Sequence, residues 1–463
     1  MSKNAHRLAV ALMLALMLRQ VPAAQNDAGA IVTVPANSEA RSAAFALTAT
    51  GELTITLQST APTDGTVRLY VFDQAGVLRG LDDPEVTERV FTWYPATTDR
   101  YYVKVANTSQ SPVTLRIESN PSKEVRERPL KEFASVRVQY ATNRQAATTE
   151  GFVKFGVQPS QMSYGYADVS IPRDHRMGEL EAPSIWRLEL RGDPAKHVLV
   201  LEAKRIGEAA FFKQISDRVS MSAKKEAFVF VHGFNVAFDD AVRRTAQMSY
   251  DLAFEGPAIT FSWPSQGSLA PLDYTKDQRN ADLSAQALQD FLVRLKSTSP
   301  VLTVHLVAHS MGNRVIARAL ERIGADVRPT AKPPLEEVAM MAPDIDAELF
   351  RQAAGKIAAS ARHVTLYASS ADLALKAAQR IAGYPRAGEG GSGLVVVSGI
   401  DTIDASSVET SWLGLSHAYY ADNSTILSDL FGLIRGRRPP DRFGLQPVRI
   451  PSGTYWQFKP AAR

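Results

Sequence analysis

The chain contains no cysteine. Disulfides, a thiol nucleophile and a lipid-bearing cysteine at an N-terminal processing site are therefore excluded. An excess of one charge sign is missing too: 52 Lys and Arg stand against 48 Asp and Glu, a net charge of +4. No tract of clustered Lys and Arg with interleaved aromatics occurs, so nucleic acid is not expected as a partner. No His-x-x-x-His pair on an expected helix and no carboxylate cluster stands at ligand spacing, so neither a metal nor another cofactor is expected. Past the N-terminus no apolar run approaches the roughly 20 residues of a membrane helix. With 463 residues, 45% of them hydrophobic, the chain is nonetheless long enough to hold itself together by its core alone.

Met1 to Ala24 read as a secretory signal (1–24). Lys3, His6 and Arg7 give a basic start, Leu8 to Leu18 are continuously apolar, and Val21-Pro22-Ala23 offers small residues for cleavage. The protein is expected to be exported to the periplasm or medium, with no stable membrane span after cleavage.

Residues 25–120 read as an all-β unit. Alternating runs recur at Ala30–Val34, Ser42–Leu47, Leu53–Gln58, Val67–Phe72, Arg89–Trp93, Arg100–Val105 and Val113–Glu118. Thr63-Asp64-Gly65, Gln74-Ala75-Gly76 and Asn107-Thr108-Ser109 supply turns between them. The pattern predicts a β-sandwich and resembles the small domain often appended to secreted bacterial peptidases. No titratable constellation lies in it. Trp93, Tyr94, Tyr101 and Tyr102 would offer a surface-contact face, though core and rim positions suit them better. Residues 121–132, charged and carrying Pro121 and Pro129, read as a linker.

From residue 133 to 435 apolar strands alternate with amphipathic helices. The strands are expected at Phe228–Val231, Ile259–Trp263, Thr303–Ala308, Glu337–Met341, Val364–Ala368 and Leu394–Ser398, after three earlier ones at Val136–Tyr140, Tyr166–Ile171 and Val198–Glu202. Repeated βα units of this kind predict an α/β fold with a doubly wound, mostly parallel sheet covered on both faces. Ligands in such sheets bind beyond the carboxyl ends of the strands. Residues 436–463, rich in Pro and Arg, read as an irregular C-terminal tail.

The stretch Val304-His-Leu-Val-Ala-His-Ser-Met-Gly-Asn313 runs from a buried strand into a helix. The setting is that of a nucleophile elbow, a turn so tight that the residues two before and two after the serine must be small. Ala308 and Gly312 meet that need, and Ser310 becomes the candidate nucleophile, with the Met311 N–H aimed at a developing oxyanion. Helix capping by the serine is the plain alternative. A serine nucleophile needs a base, and the base an orienting acid, which follow the elbow in chain order Ser, acid, His. Only His363 and His417 follow Ser310. His363 opens a strand, on the wrong side of the sheet, so His417 is the expected base. Asp372, after Val364–Ala368, is the favoured acid and Asp344, one strand earlier, the alternative. The second oxyanion donor is expected from Phe230-Val-His-Gly-Phe-Asn, as the N–H of Phe234 or Asn235.

Those motifs, with Phe261-Ser-Trp-Pro-Ser, Ala342-Pro-Asp-Ile-Asp, Tyr140-Ala-Thr-Asn-Arg and Tyr164-Gly-Tyr-Ala-Asp-Val-Ser-Ile-Pro, resemble an uncharacterised bacterial family of the esterase/lipase superfamily. The resemblance covers about residues 133–435. It implies an α/β-hydrolase fold with its nucleophile at Ser310 and says little about substrate. The expected function is an exported carboxylesterase acting on a small-molecule ester. A serine peptidase or amidase is the alternative among enzymes, and a surface- or polymer-binding module the alternative outside them.

Overall fold

The computed structural model describes most residues between 30 and 458. Residues 59–66, 74–77, 82–89, 120–132, 183–191, 409–422 and several shorter stretches lie outside the described residues, as do the expected signal and linker. The chain divides into two compact units, Met1–Lys131 and Glu132–Arg463.

The first unit is two small antiparallel sheets. One has the order β1 (Ala30–Val34), β9 (Val113–Ser119), β4 (Leu53–Leu57), β7 (Val90–Trp93). The other runs β2 (Ser38–Arg41), β8 (Asp99–Asn107), β5 (Val67–Asp73), β6 (Leu78–Leu81), with β3 (Phe45–Leu47) also on β8. Buried apolar residues recur at every second position along most of β4, β5, β8 and β9, and Leu53, Ile55, Leu69, Val71, Val103, Leu115 and Ile117 share one core. Tyr101 belongs to that core and Tyr102 is buried on the other face against Phe72. Neither serves as the exposed aromatic face considered from sequence.

The second unit is built on an eleven-stranded sheet. A long hairpin, β10 (Phe133–Thr149) and β11 (Phe152–Pro172), and β12 (Val200–Ile206) form an antiparallel edge. Next come β14 (Ala258–Ser262), β13 (Glu226–Val231), β15 (Thr303–His309), β16 (Leu335–Met341), β17 (Ala361–Ala368) and β18 (Asp401–Asp404), all parallel. The helices are α1 (Glu208–Met221), α2 (Phe238–Asp251), α3 (Pro271–Thr298), α4 (Gly312–Asp326), α5 (Ala347–Ala359), α6 (Leu373–Ala382) and α7 (Asn423–Ile434). The β13 and β14 strands are buried at every position, as strands covered on both faces must be. From β13 the chain steps outward to β14 and returns on the other side as β15. The order therefore reverses between β13 and β15, and in such sheets ligands bind beyond the carboxyl ends of the strands at the reversal.

Two sequence expectations need correction. The Leu394–Ser398 run is not a strand; Val395 is buried, its carbonyl accepts from the Thr402 hydroxyl at 2.8 Å, and Gly399, at φ 82°, turns the chain into β18 instead. Residues 436–463 are not an irregular tail. They form the hairpin β19 (Leu445–Ile450) and β20 (Gly453–Phe458), and β20 extends the sheet parallel to β18. The arginine that made this segment look solvated is buried: Arg442 forms a bidentate pair with Asp429 of α7 at 2.7 and 2.6 Å, and the Tyr367 hydroxyl donates to the same carboxylate at 2.7 Å. Breaking such a pair leaves one charge buried alone. Asp429→Asn should destabilise this unit by about 3–5 kcal/mol, read as a lower urea midpoint at the parent slope; an unmoved midpoint would show that the pair does not hold the hairpin.

A second buried cluster anchors the segment after β11. The His175 Nδ1 lies 2.8 Å from Glu181 and its Nε2 2.9 Å from Asp251 of α2. Burial alone would lower the histidine pKa, but the two carboxylates outweigh it and raise the value to about 9. A folded-state pKa above the unfolded one gives stability that is complete below about pH 6.5 and lost as pH rises through about 9. The stability gap between the parent and His175→Gln should be widest at pH 6 and narrow by pH 10. Unfolding curves showing an equal gap at both would mean the imidazole is neutral in the fold.

Candidate active site

Ser310 follows β15 directly and adopts φ 49°, a left-handed conformation that costs an L-residue roughly 1–2 kcal/mol. The turn is held there from several sides. The Ser310 N–H donates to Met341 O at 2.9 Å, and its carbonyl accepts from the N–H of Asn313 at 3.0 Å and of Asp344 at 3.2 Å. The fully buried Asn313 side chain donates to Met341 O at 2.9 Å, with longer contacts to Ala308 O and Ser310 O. Gly312 starts α4 where no side chain fits, since a Cβ there would stand 2.4 Å from His232 O. Ser310 is half-buried, and Met311 holds the N-cap of α4, among the backbone N–H groups that a helix start leaves without intrahelical partners.

The turn after β13 meets the elbow directly. A Cβ on Gly233 would lie 3.0 Å from the Ser310 Cβ and 3.1 Å from His309 O. A side chain there would crowd both, so glycine suits this close approach of the two backbones. His232 is buried below, stacked on Trp263 with ring centroids 5.1 Å apart, its Nδ1 donating to Gly233 O at 2.9 Å. Burial and the nearby Arg144 charge depress its pKa to about 3, so it stays neutral and structural. Asn235 departs from expectation: its N–H is bonded to the Asp277 carboxylate, which leaves Phe234 as the candidate donor of this turn. Phe234 itself is half-buried, its ring edge-on to Tyr274 at 5.3 Å.

The two acid candidates occupy different settings. Asp344 is buried behind the elbow, ion-paired with the fully buried Arg386 at 3.1 Å and accepting from the Tyr274 hydroxyl at 2.8 Å. Burial pushes its carboxyl above the ordinary range, against the pull of Arg386 and Tyr274. Helix capping falls to its neighbour Asp346, which accepts from Glu348 N at 2.7 Å. Asp372 stands just past β17, half-buried, and caps α6 by accepting from Leu375 N at 2.9 Å. Its loop is tied to the end of β18: Ser370 N donates to Ser406 Oγ at 2.8 Å and Ala405 N to Ala368 O at 2.7 Å. His417 falls in 409–422, outside the described residues, on the stretch that follows β18. His363 pairs with Glu337 at 3.0 Å near the amino ends of β16 and β17, away from the elbow.

Sequence reading passed over Asn313, Tyr274, Arg386, Asp277 and Arg144. Asn313 and Arg144 lay inside the quoted motifs, but their partners are carbonyls distant in sequence, which spacing does not reveal. The strain at Ser310 yields a stability test. Ser310→Gly should raise stability by about 0.5–1 kcal/mol over Ser310→Ala, the relief of the left-handed turn less glycine's unfolded-state entropy; equal denaturant midpoints would mean that the turn is unstrained.

Residues 207–437 match the family model described as alpha/beta hydrolase of unknown function (DUF900). An uncharacterized protein of Nostoc sp., alr1448, is 26% identical over 146 residues, covering 30% of this chain and 35% of that protein, about a third of its length. Among solved structures, the lysozyme inhibitor PliG of Aeromonas hydrophila is similar to 22% of this chain over 93% of its own, at 12% identity and TM-score 0.17. Phospholipase PlaB of Legionella pneumophila is similar to 39% of this chain over 37% of its own, at 13% identity and TM-score 0.21.

Proposed function

Since the chain belongs, through residues 207–437, to this family of α/β hydrolases, we propose that it is a serine hydrolase, a carboxylesterase that cleaves small acyl esters through an acyl-enzyme on Ser310. The observation that carries the reading is the strained serine itself. A left-handed Ser310 between strand and helix, at the reversal point of the sheet and against Gly233, is stabilised by its surroundings rather than by its own conformation. Strain of this kind collects at reactive sites, where the fold holds what the residue alone would not adopt.

In the proposed reaction the Ser310 hydroxyl attacks the ester carbonyl while His417 takes its proton, and the same proton passes to the leaving alcohol. The oxyanion is met by the N–H groups of Met311 and Phe234. Water then repeats the sequence on the acyl-enzyme. Asp372 is the proposed acid, holding His417 by Nδ1. The ties between its loop and the end of β18 support that role, because they bring it beside the chain that leads to His417. Asp344 suits it less, since its carboxylate is already engaged by Arg386 and Tyr274.

Ser310→Ala should lower hydrolysis of p-nitrophenyl esters by on the order of 10³ or more with unfolding unchanged or nearly so. Asp372→Asn should lose about 10³–10⁴ in kcat, whereas Asp344→Asn should lose stability, about 3–5 kcal/mol for the abandoned Arg386 charge, while the folded fraction keeps most of its kcat. The three are compared side by side above the histidine pKa. A fully active Asp372→Asn beside a folded but inactive Asp344→Asn would move the acid to Asp344, and an active Ser310→Ala would end the hydrolase reading.

A further inference from the structure

Behind the His232–Val236 turn lies a buried guanidinium that donates only to neutral acceptors. Arg144 is 1% exposed. It sits where β10 slips register against β11, on both its sides. Its Nη2 donates to Val236 O at 2.7 Å and lies 3.3 Å from His232 Nε2. Its Nη1 donates to Ser265 O at 3.0 Å and Gly156 O at 3.2 Å, and its Nε to Ser262 Oγ at 2.8 Å. Asp277, Asp240 and Asp239 act on it through space. Burial lowers its pKa to about 10, which still leaves it charged at neutral pH. An apolar side chain of similar volume would be the cheaper filling for such a site, so a buried charge without a contacting carboxylate calls for a use.

Its contacts indicate the use. Arg144 holds the carbonyl at the far end of the turn and faces the histidine at its near end. Asp277 completes the hold: it takes the Asn235 N–H and the Gln266 N–H, the latter at 2.8 Å, and accepts at 2.6 Å from the Ser265 hydroxyl, which in turn accepts from Val236 N at 3.3 Å. Gly233, which meets Ser310, and Phe234 after it are thus suspended between fixed ends.

We propose that Arg144 is a positioning residue of the hydrolytic site: its fork fixes the turn that presents the Phe234 N–H, and its charge lies behind that donor, where negative charge grows on the substrate oxygen. The inference rests on the Ser310 reading above. A fixed positive charge in a dry site favours a developing oxyanion over the neutral ester, so it acts on kcat more than on KM.

The test uses the full chain with Arg144→Met, which removes fork and charge, and Arg144→Lys, which keeps the charge. Measured are kcat and KM on a p-nitrophenyl ester, Ki for a trifluoromethyl ketone whose serine adduct carries a negative oxygen, and thermal unfolding. Arg144→Met should lose about 10²-fold in kcat with KM within threefold, and ketone binding should weaken by a similar factor. Arg144→Lys should recover about tenfold of that and still fall at least several-fold short of the parent. A merely structural arginine would lower the unfolding temperature and leave the ketone Ki of the folded protein at the parent value, which overturns the proposal. If Arg144→Met does not fold, Arg144→Lys decides alone: parental kcat and Ki there would also overturn it. Labelling by a fluorophosphonate separates the two readings. Parent protein that is not labelled at Ser310 sinks the hydrolase reading and this one together, whereas labelling at Ser310 with parental kinetics in the variants sinks only the role of Arg144.

Discussion

The close approach of two backbone turns is the constraint around which the larger unit is arranged. Gly233 after β13 and Ser310 after β15 touch so closely that a side chain on the glycine would press on the serine, and Gly312 meets His232 O and Val231 O closer still, where no Cβ fits. Parallel pairing of β13 with β15 sets the two turns side by side. The outward step to β14 makes this pair the point where the strand order reverses. A left-handed serine persists there because Met341 O, Asn313 and the Asp344 N–H all bond to the turn as it stands. Each of those partners is itself buried or in the sheet, so relaxing the serine would mean abandoning several hydrogen bonds in a low-dielectric interior.

Polar burial is concentrated behind that contact. Arg144, Ser262, Ser265, Asp277 and His232 form one network under the β13 turn. Tyr274, Asp344 and Arg386 form another beside the elbow. Such groups are costly to dehydrate and add little to net stability compared with apolar residues of the same volume. What they supply is direction: a hydrogen-bonded carbonyl or amide has one favourable position, where an apolar contact has many. The opposite end of the sheet carries its own charge pairs, Glu337 with His363 and Arg438. These lie far along the strands from Ser310, which is why a histidine placed there after the serine in sequence is no base for it.

Local patterns were readable from the sequence to the degree that their causes are local. The elbow needs small residues at fixed offsets from one serine, and Ala308, Gly312 and the flanking strand and helix display that within a dozen residues. The strand alternation of β4, β5, β8 and β9 and the largely apolar strands from β13 to β17 were legible for the same reason, each being a period imposed by one face or two. Composition misled where a charge was buried. Arg442 and the prolines near it read as solvated chain, yet Asp429 neutralises that arginine and the segment pairs onto β18. Apolar content misled at Leu394–Ser398, where only Val395 is buried and the run pairs with no strand.

The sequence by itself determined the nucleophile candidate, the glycines beside it, and the order of strands and helices from β13 to α6, because these follow from steric limits and periodicities within short windows. Only the tertiary structure decided what holds the serine in place. Arg144 meets His232 across 88 residues and Ser262 across 118, and Asp344 meets Tyr274 across 70. It decided likewise that the Asn235 N–H belongs to Asp277, leaving Phe234 as the candidate donor of its turn. Contacts of that length leave no period in the sequence, since any acceptor of suitable geometry satisfies a guanidinium or an amide, and folding alone selects which one stands within reach.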